Sequence, residues 1–187
     1  MSLLAAIERH AQVRPDSFAI RHPTPFAAWG SVTWRGLLKE AAALTPQLAA
    51  HGPIGWLQHN HRGALALLLA CAERGQTFAP LNWRLTAAEL AAIAADAGMT
   101  QVWTTEADAL GLPHPVAPWA TETRCLGDPG AAVVAADRAP LLLGVTSGTT
   151  GQPRGAMLTE AAVMANVAHA IALFGAQRGQ RLDAQAA

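Results

Sequence analysis

Leu141-Leu142-Leu143-Gly144-Val145-Thr146-Ser147-Gly148-Thr149-Thr150-Gly151-Gln152-Pro153-Arg154-Gly155 runs from an apolar strand signal directly into a turn dense in glycine and hydroxyls. The apolar part, Leu141 to Thr146, reads as a buried strand that delivers the loop. The polar part, Thr146 to Gly155, reads as a phosphate-gripping loop. Glycine permits positive φ and close backbone approach, successive amides in such a turn form an anion-binding concavity, and Ser/Thr hydroxyls add rotatable donors. Arg154 contributes a permanent cation whose geometry suits phosphate oxygens.

Spacing separates this loop from two better-known glycine-rich turns. A Walker loop requires Gly, four residues, then Gly-Lys-Ser/Thr, yet five positions after Gly148 stands Pro153 and five after Gly144 stands Thr149. A hydrolase nucleophile elbow requires Gly-x-Ser-x-Gly, and Gly144-Val145-Thr146-Ser147-Gly148 sets the serine one place late. Ser147 is therefore a poor nucleophile candidate.

Upstream of the loop, strand and helix signals alternate. Ser2 caps a first helix that ends before Pro15, and Phe18 to Arg21 and Ser31 to Thr33 are short extended pieces around a Pro/Gly-rich turn. After Thr33, the residues Trp34, Leu37, Leu38, Ala41, Leu44 and Leu48 form one core-facing helical stripe. Ile54 to Leu57 is a buried strand, Arg62 to Glu73 a helix stopped at Gly75, and Thr77 to Leu81 another strand. Thr86 and Glu89 make a capping box for a helix that Gly98 ends, with Leu90, Ile93, Ala94 and Ala97 on its apolar side. Gln101 to Thr104 follows as a strand. This alternation with short connections predicts an α/β fold, a mostly parallel sheet with flanking helices joined by right-handed crossovers. From Glu106 to Asp137 the pattern gives way to Pro/Gly/Ala-rich irregular connection with one short strand near Val116. Beyond the loop, Thr159 caps a last helix running to Phe174.

Composition narrows the classes. With 187 residues, 51% hydrophobic and 14% charged, the chain can bury a sizeable core. Its formal net charge of zero gives no electrostatic reason to expect nucleic acid or an anionic membrane as partner. The apolar run Ala64 to Ala72 falls well short of the roughly 20 residues of a spanning helix, so no membrane span is expected. The first residues lack a basic region followed by a sustained apolar stretch, which leaves a cytoplasmic location as the expectation.

Several residues have plain structural readings. Cys71 falls in a helix apolar on all sides and reads as a small buried hydrophobe; Cys125 reads as a polar-loop cysteine without a partner at metal-ligand spacing. His59 and His61 flank Asn60 at period two, but no third ligand is near, so a solvent-facing or hydrogen-bonded pair is expected rather than a metal site. Tryptophans and phenylalanines fall on strands and stripes and read as core. Arg84 reads as a structural residue at the entry to the capped helix.

The run Thr146 to Gly155 closely resembles the phosphate loop of the adenylate-forming superfamily, whose members include acyl-CoA synthetases, peptide-synthetase adenylation domains and luciferases. That family's pattern is Tyr/Phe-Thr-Ser-Gly-Thr-Thr-Gly-x-Pro-Lys-Gly, and this chain departs from it at Val145 and Arg154. Pro80-Leu81-Asn82-Trp83-Arg84-Leu85-Thr86-Ala87-Ala88-Glu89-Leu90 is similar to a segment common in the acyl-CoA synthetase branch, and Arg14-Pro15-Asp16 and Gly155-Ala156-Met157-Leu158-Thr159 also fit. The resemblance implies an ATP-dependent acyl-CoA synthetase, with residues 1–187 forming the N-terminal part of an AMP-binding domain. It assigns Thr146, Ser147, Gly148, Thr149, Thr150, Gly151, Arg154 and Gly155 to the β- and γ-phosphates of ATP, which leave as pyrophosphate when a carboxylate attacks the α-phosphorus. ATP, Mg²⁺, CoA and a carboxylic acid are the implied ligands.

By the same resemblance no catalytic residue lies in this chain. The family completes its site with an aromatic-Gly-x-Thr-Glu segment, a ribose-binding aspartate, a hinge and a late lysine, none of which follows Phe174 here. The expectation is an inactive N-terminal fragment without the rest of its domain or the lid domain. Two other classes stay open at this point: a non-catalytic nucleotide-binding module and a purely structural fragment. The last helix carries Val163, Met164, Val167, Ile171, Leu173 and Phe174 around most of its circumference, so self-association is also expected.

Overall fold

Ser2 opens the chain's first helix, α1 (Leu3–Val13), by accepting a hydrogen bond from the Ala5 N–H at 3.1 Å. The computed structural model describes residues 2–21, 31–58, 61–104, 124–125, 140–146 and 154–175. A two-stranded antiparallel ribbon, β1 (Phe18–Ile20) and β2 (Val32–Thr33), follows α1 and leads into α2 (Trp34–Leu44). Thr33 caps α2 by accepting from the Gly36 N–H at 3.1 Å, and a 3-10 turn at Thr45–Gln47 ends it. Leu37, Ala41, Leu44 and Leu48, four of the positions on the stripe, are buried.

The next strands and helices alternate as β3 (Ile54–Leu57), α3 (Arg62–Arg74), β4 (Phe78–Pro80), α4 (Ala87–Asp96) and β5 (Gln101–Thr104). Each break has a local cause. Gly75 ends α3 in the left-handed region at φ 64°, where its N–H bonds back to Ala72 and Cys71 carbonyls. The capping box of α4 is complete: the Glu89 N–H donates to Thr86 Oγ1, and Glu89 Oε2 accepts from the Thr86 N–H at 2.8 Å. Three short strands complete the set: β6 (Arg124–Cys125), β7 (Leu142–Thr146) and β8 (Arg154–Leu158), before α5 (Glu160–Leu173).

These strands form one sheet in the order β6-β5-β3-β4-β7-β8. The central strands β5, β3, β4 and β7 are parallel, and the two outer strands β6 and β8 are antiparallel to their neighbours. The expectation of a mostly parallel α/β sheet therefore holds, with antiparallel edges added. Two particulars differ from the sequence reading. Cys125 lies on β6 beside Gln101 of β5 rather than in a loop. Arg154 and Gly155, read as the end of the loop, lie on the strand Arg154–Leu158. Val116 and most of the stretch 106–137 lie outside the described residues, as does the Pro/Gly-rich turn at 22–30.

The core sits between the sheet and its helices. Ile54, Leu57, Leu67, Leu90 and Val102 are at most 1% exposed; side chains of this size each stabilise the fold by about 1.5–3 kcal/mol. Trp56 and Trp103 are buried, as expected, but Phe18 and Phe174 are exposed, which corrects the reading of all phenylalanines as core. Buried polar side chains tie the chain connections to the sheet. The Gln101 amide, buried at the start of β5, accepts from the Ala49 N–H at 2.9 Å and donates to the Gln47 carbonyl at 2.9 Å. Thr77 Oγ1 donates to the Pro140 carbonyl at 2.6 Å and fastens the approach to β7 beside β4. Such bonds satisfy backbone groups that burial would otherwise leave unpaired.

Candidate functional site

In an open α/β sheet, ligands bind beyond the carboxyl ends of the strands, where adjacent strands send their connections in opposite directions. Here that divergence falls between β4 and β7: the chain leaves β4 through α4 toward β5, whereas it leaves β7 toward β8 on the other side. Phe78 of β4 pairs with Leu142 of β7. Counting four positions forward from that pair reaches Asn82 on one strand's exit and Thr146 on the other. The two motifs that stand out in the sequence, Pro80 to Leu90 and Thr146 to Gly155, thus leave the sheet side by side.

The second motif is built on a hairpin. Its ladder runs from Leu142 opposite Leu158 to Thr146 opposite Arg154, with Gly155 opposite Val145. Thr146 and Arg154 are the last paired residues among the described ones. Of the eight phosphate-binding candidates, the structure brings together the backbones of Thr146, Arg154 and Gly155; Ser147, Gly148, Thr149, Thr150 and Gly151 lie outside the described residues.

Gly155 packs closely against the core. A Cβ at this position would stand 2.9 Å from Leu143 Cδ1, closer than real Cβ contacts come. Leu143 is 7% exposed and belongs to the core, so Gly155 lets the hairpin press onto the strand that carries it into the sheet. Gly144 is different, since its nearest neighbour to a built Cβ is the Ala156 carbonyl oxygen at 3.9 Å. Sequence reasoning assigned Gly155 to the loop and missed this role. The signal available was the apolar pair Met157-Leu158 two positions on, too short to display alternation.

On the β4 side, Asn82 Oδ1 accepts from the Arg84 N–H at 3.0 Å, which folds the exit into a side-chain-stabilised turn. The Arg84 guanidinium lies 4.4 Å from the Trp83 ring centroid, a cation–π contact on an exposed surface. The turn delivers the chain to Thr86 and its capping box, in keeping with the structural reading of Arg84. His61 accepts from the Gly63 N–H through Nδ1 at 3.0 Å and so caps α3, the hydrogen-bonded role expected of it; His59 and Asn60 lie outside the described residues. Among the described residues no group of three His, Cys, Asp or Glu is gathered to hold a metal ion. Burial pushes the Cys71 thiol up to about 12, which leaves it protonated and unreactive.

An open, mostly parallel sheet with antiparallel edge strands and flanking helices defines an α/β protein. Residues 7–184 match the AMP-binding enzyme family, and the chain belongs to that family. It is 31% identical to indoleacetate–CoA ligase of Aromatoleum aromaticum over 97% of this chain and 39% of the ligase. It is 34% identical to a feruloyl-CoA synthase from Amycolatopsis over 81% of this chain and 32% of that enzyme. The chain thus spans 32–39% of these relatives' lengths. Among solved structures, VinN in complex with 3-methylaspartate superposes with a TM-score of 0.72 at 21% identity, covering 95% of this chain and 52% of that one. O-succinylbenzoate CoA synthetase from Bacillus subtilis, in complex with AMP, gives 0.67 at 19% identity over 95% and 47%. At these identities the structural likeness establishes the fold. Among the described residues no helix is long and apolar enough to cross a membrane.

Proposed function

We propose that residues 1–187 carry the phosphate grip of an ATP-dependent acid–thiol ligase that makes an acyl-adenylate and then a thioester on CoA. The observation that supports this most is the position of the Thr146 to Gly155 motif on a hairpin at the sheet's switch point. In this reading Ser147, Thr149 and Thr150 offer hydroxyls, Gly148 and Gly151 let backbone amides approach, and Arg154 offers its guanidinium to the β- and γ-phosphates. When a substrate carboxylate oxygen attacks the α-phosphorus, the bond to the bridging oxygen breaks and negative charge builds on the departing pyrophosphate. Donors already in place stabilise that charge without reorganising. The residues that orient the acid and the α-phosphate belong to parts of the ligase fold outside this chain, and no Mg²⁺ ligand is assigned to it. The named relatives act on indoleacetate and ferulate, so aryl acids head the list of substrates to try.

A binding module without catalysis is the second reading, favoured by Val145 and Arg154 standing where the family pattern has an aromatic residue and a lysine. Titration of ATP against the purified chain tests the element the two readings share. Binding that is abolished by Gly151→Val and weakened by Arg154→Ala supports the phosphate grip. The arginine's charge-assisted bonds correspond to about 1.5–3 kcal/mol, or roughly 10- to 150-fold in affinity. Equal heats for the three proteins, or none for any, would refute it.

A further inference from the structure

Glu160 joins two parts of the chain that lie 157 positions apart. It follows β8 by two residues and opens α5, and its Oε1 accepts from the Leu3 N–H at the start of α1 at 2.7 Å. That N–H is one of those at a helix start that no residue of the helix itself can bond. Ser2 takes another, that of Ala5, through its hydroxyl. The Glu160 carboxylate also lies in the first turn of α5, so one negative charge serves the positive ends of two helices. Helix α1 is a firm post for this tie, because Leu3, Leu4 and Ile7 pack against the core.

Strand β8 gains from such an anchor. Arg-Gly-Ala-Met-Leu contains no β-branched or aromatic residue, and among the described residues the strand pairs with β7 alone. Its register matters, since a slip of one residue would turn every side chain of the strand to the opposite face of the sheet. The ladder with β7 and the close approach of Gly155 to Leu143 hold the strand along its length. Beyond Leu158, the bond from Glu160 to α1 fastens its end.

We propose that Glu160 is a positioning residue for the phosphate grip: by fastening the end of β8 to α1, it keeps that strand in register and Arg154 opposite Thr146. Glu160 touches no ligand in this account and acts only through the strand. The role given to Arg154 rests on the proposed function, whereas the tie between Glu160 and Leu3 does not.

Amide hydrogen exchange and ATP titration on the 187-residue chain test it together. Glu160→Ala should speed exchange at Leu3 and along residues 154–158, while β3 and β5 exchange as in the wild type. It should also weaken ATP binding by roughly 3- to 10-fold, the size usual for a change that acts through other residues. Glu160→Gln keeps an acceptor oxygen without the charge and should fall between the two. In an Arg154→Ala background, Glu160→Ala should weaken ATP binding no further, because its effect passes through Arg154. A general loosening of the fold would instead cost affinity in both backgrounds, and that result overturns the proposal. Unchanged exchange along β8 in Glu160→Ala overturns it as well. A wild type that binds no ATP removes the phosphate grip and the proposal with it, whereas ATP binding that Glu160→Ala leaves untouched overturns the proposal alone.

Discussion

A single added carbon at Gly155 would meet Leu143 Cδ1 at 2.9 Å, whereas one at Gly144 would meet nothing closer than 3.9 Å. Two glycines on one hairpin therefore predict opposite outcomes. Gly155→Val should destabilise by about 1–3 kcal/mol, the usual range for overpacking. Gly144→Ala should stay within about 0.5 kcal/mol. Urea unfolding of both variants checks the pair, and equal midpoints would mean that Leu143 moves aside freely. Cys71 supplies a pH test. Its thiol ionises ordinarily near 9 but is pushed up to about 12 by burial in the fold. Above pH 9 the unfolded chain releases a proton that the folded chain keeps, so stability is full below about 9 and falls as pH rises toward 12. The chain has no tyrosine to blur this alkaline limb. Cys71→Ala should flatten the slope above pH 9 while lowering stability at neutral pH, and alkylation with iodoacetamide should spare Cys71 until the protein unfolds.

The capping box of α4 is an element-scale device that was legible letter by letter: Thr86, Glu89 three places on, then an apolar stripe. The two Thr86 bonds hold the Glu89 carboxyl below its ordinary range. A depressed carboxylate stabilises the fold above that range and loses its contribution as pH falls through the folded value. Separately, loss of the N-cap in Thr86→Ala should cost about 1 kcal/mol. Glu89→Gln should be less stable than the wild type at neutral pH and converge with it in acid; a difference that persists at low pH would exclude the carboxylate as its cause. Helices α1 to α4 and the central strands were readable for the same reason as this cap: stops, caps and stripes are written in local residue types. Strand β8 was not, because Arg-Gly-Ala-Met-Leu has weak β propensity and owes its conformation to pairing with β7, a partner across the loop. The two-residue strand β6 likewise exists through β5 and has no periodicity to read. Gly155 followed from the same blindness: without β8, its contact with Leu143 has no place in the sequence.

At the scale of the whole molecule, the proposed function gives the chain one end of a reaction centre. Thr146, Arg154 and Gly155 sit on the strands next to where β4 and β7 diverge, and the resemblance of the motif to the adenylate-forming pattern assigns the loop to the phosphates that leave. Activation also requires the carboxylate and the α-phosphorus to be held within reach of each other, and positioning of this kind accounts for about 7–11 kcal/mol of a typical barrier. The 187 residues span 39% of one ligase relative and 32% of another, and most of the polypeptide that could do so in those relatives lies outside that span. The 187-residue protein should therefore bind ATP without catalysing acid-dependent exchange of pyrophosphate into it. The measurement is exchange of labelled pyrophosphate with a panel of aryl and fatty acids, run on protein whose ATP binding has been confirmed by titration. Binding without exchange is the expected result. Exchange that depends on the acid and disappears in Gly151→Val would show that these residues suffice to align both reactants, and the division of labour drawn here would have to be abandoned.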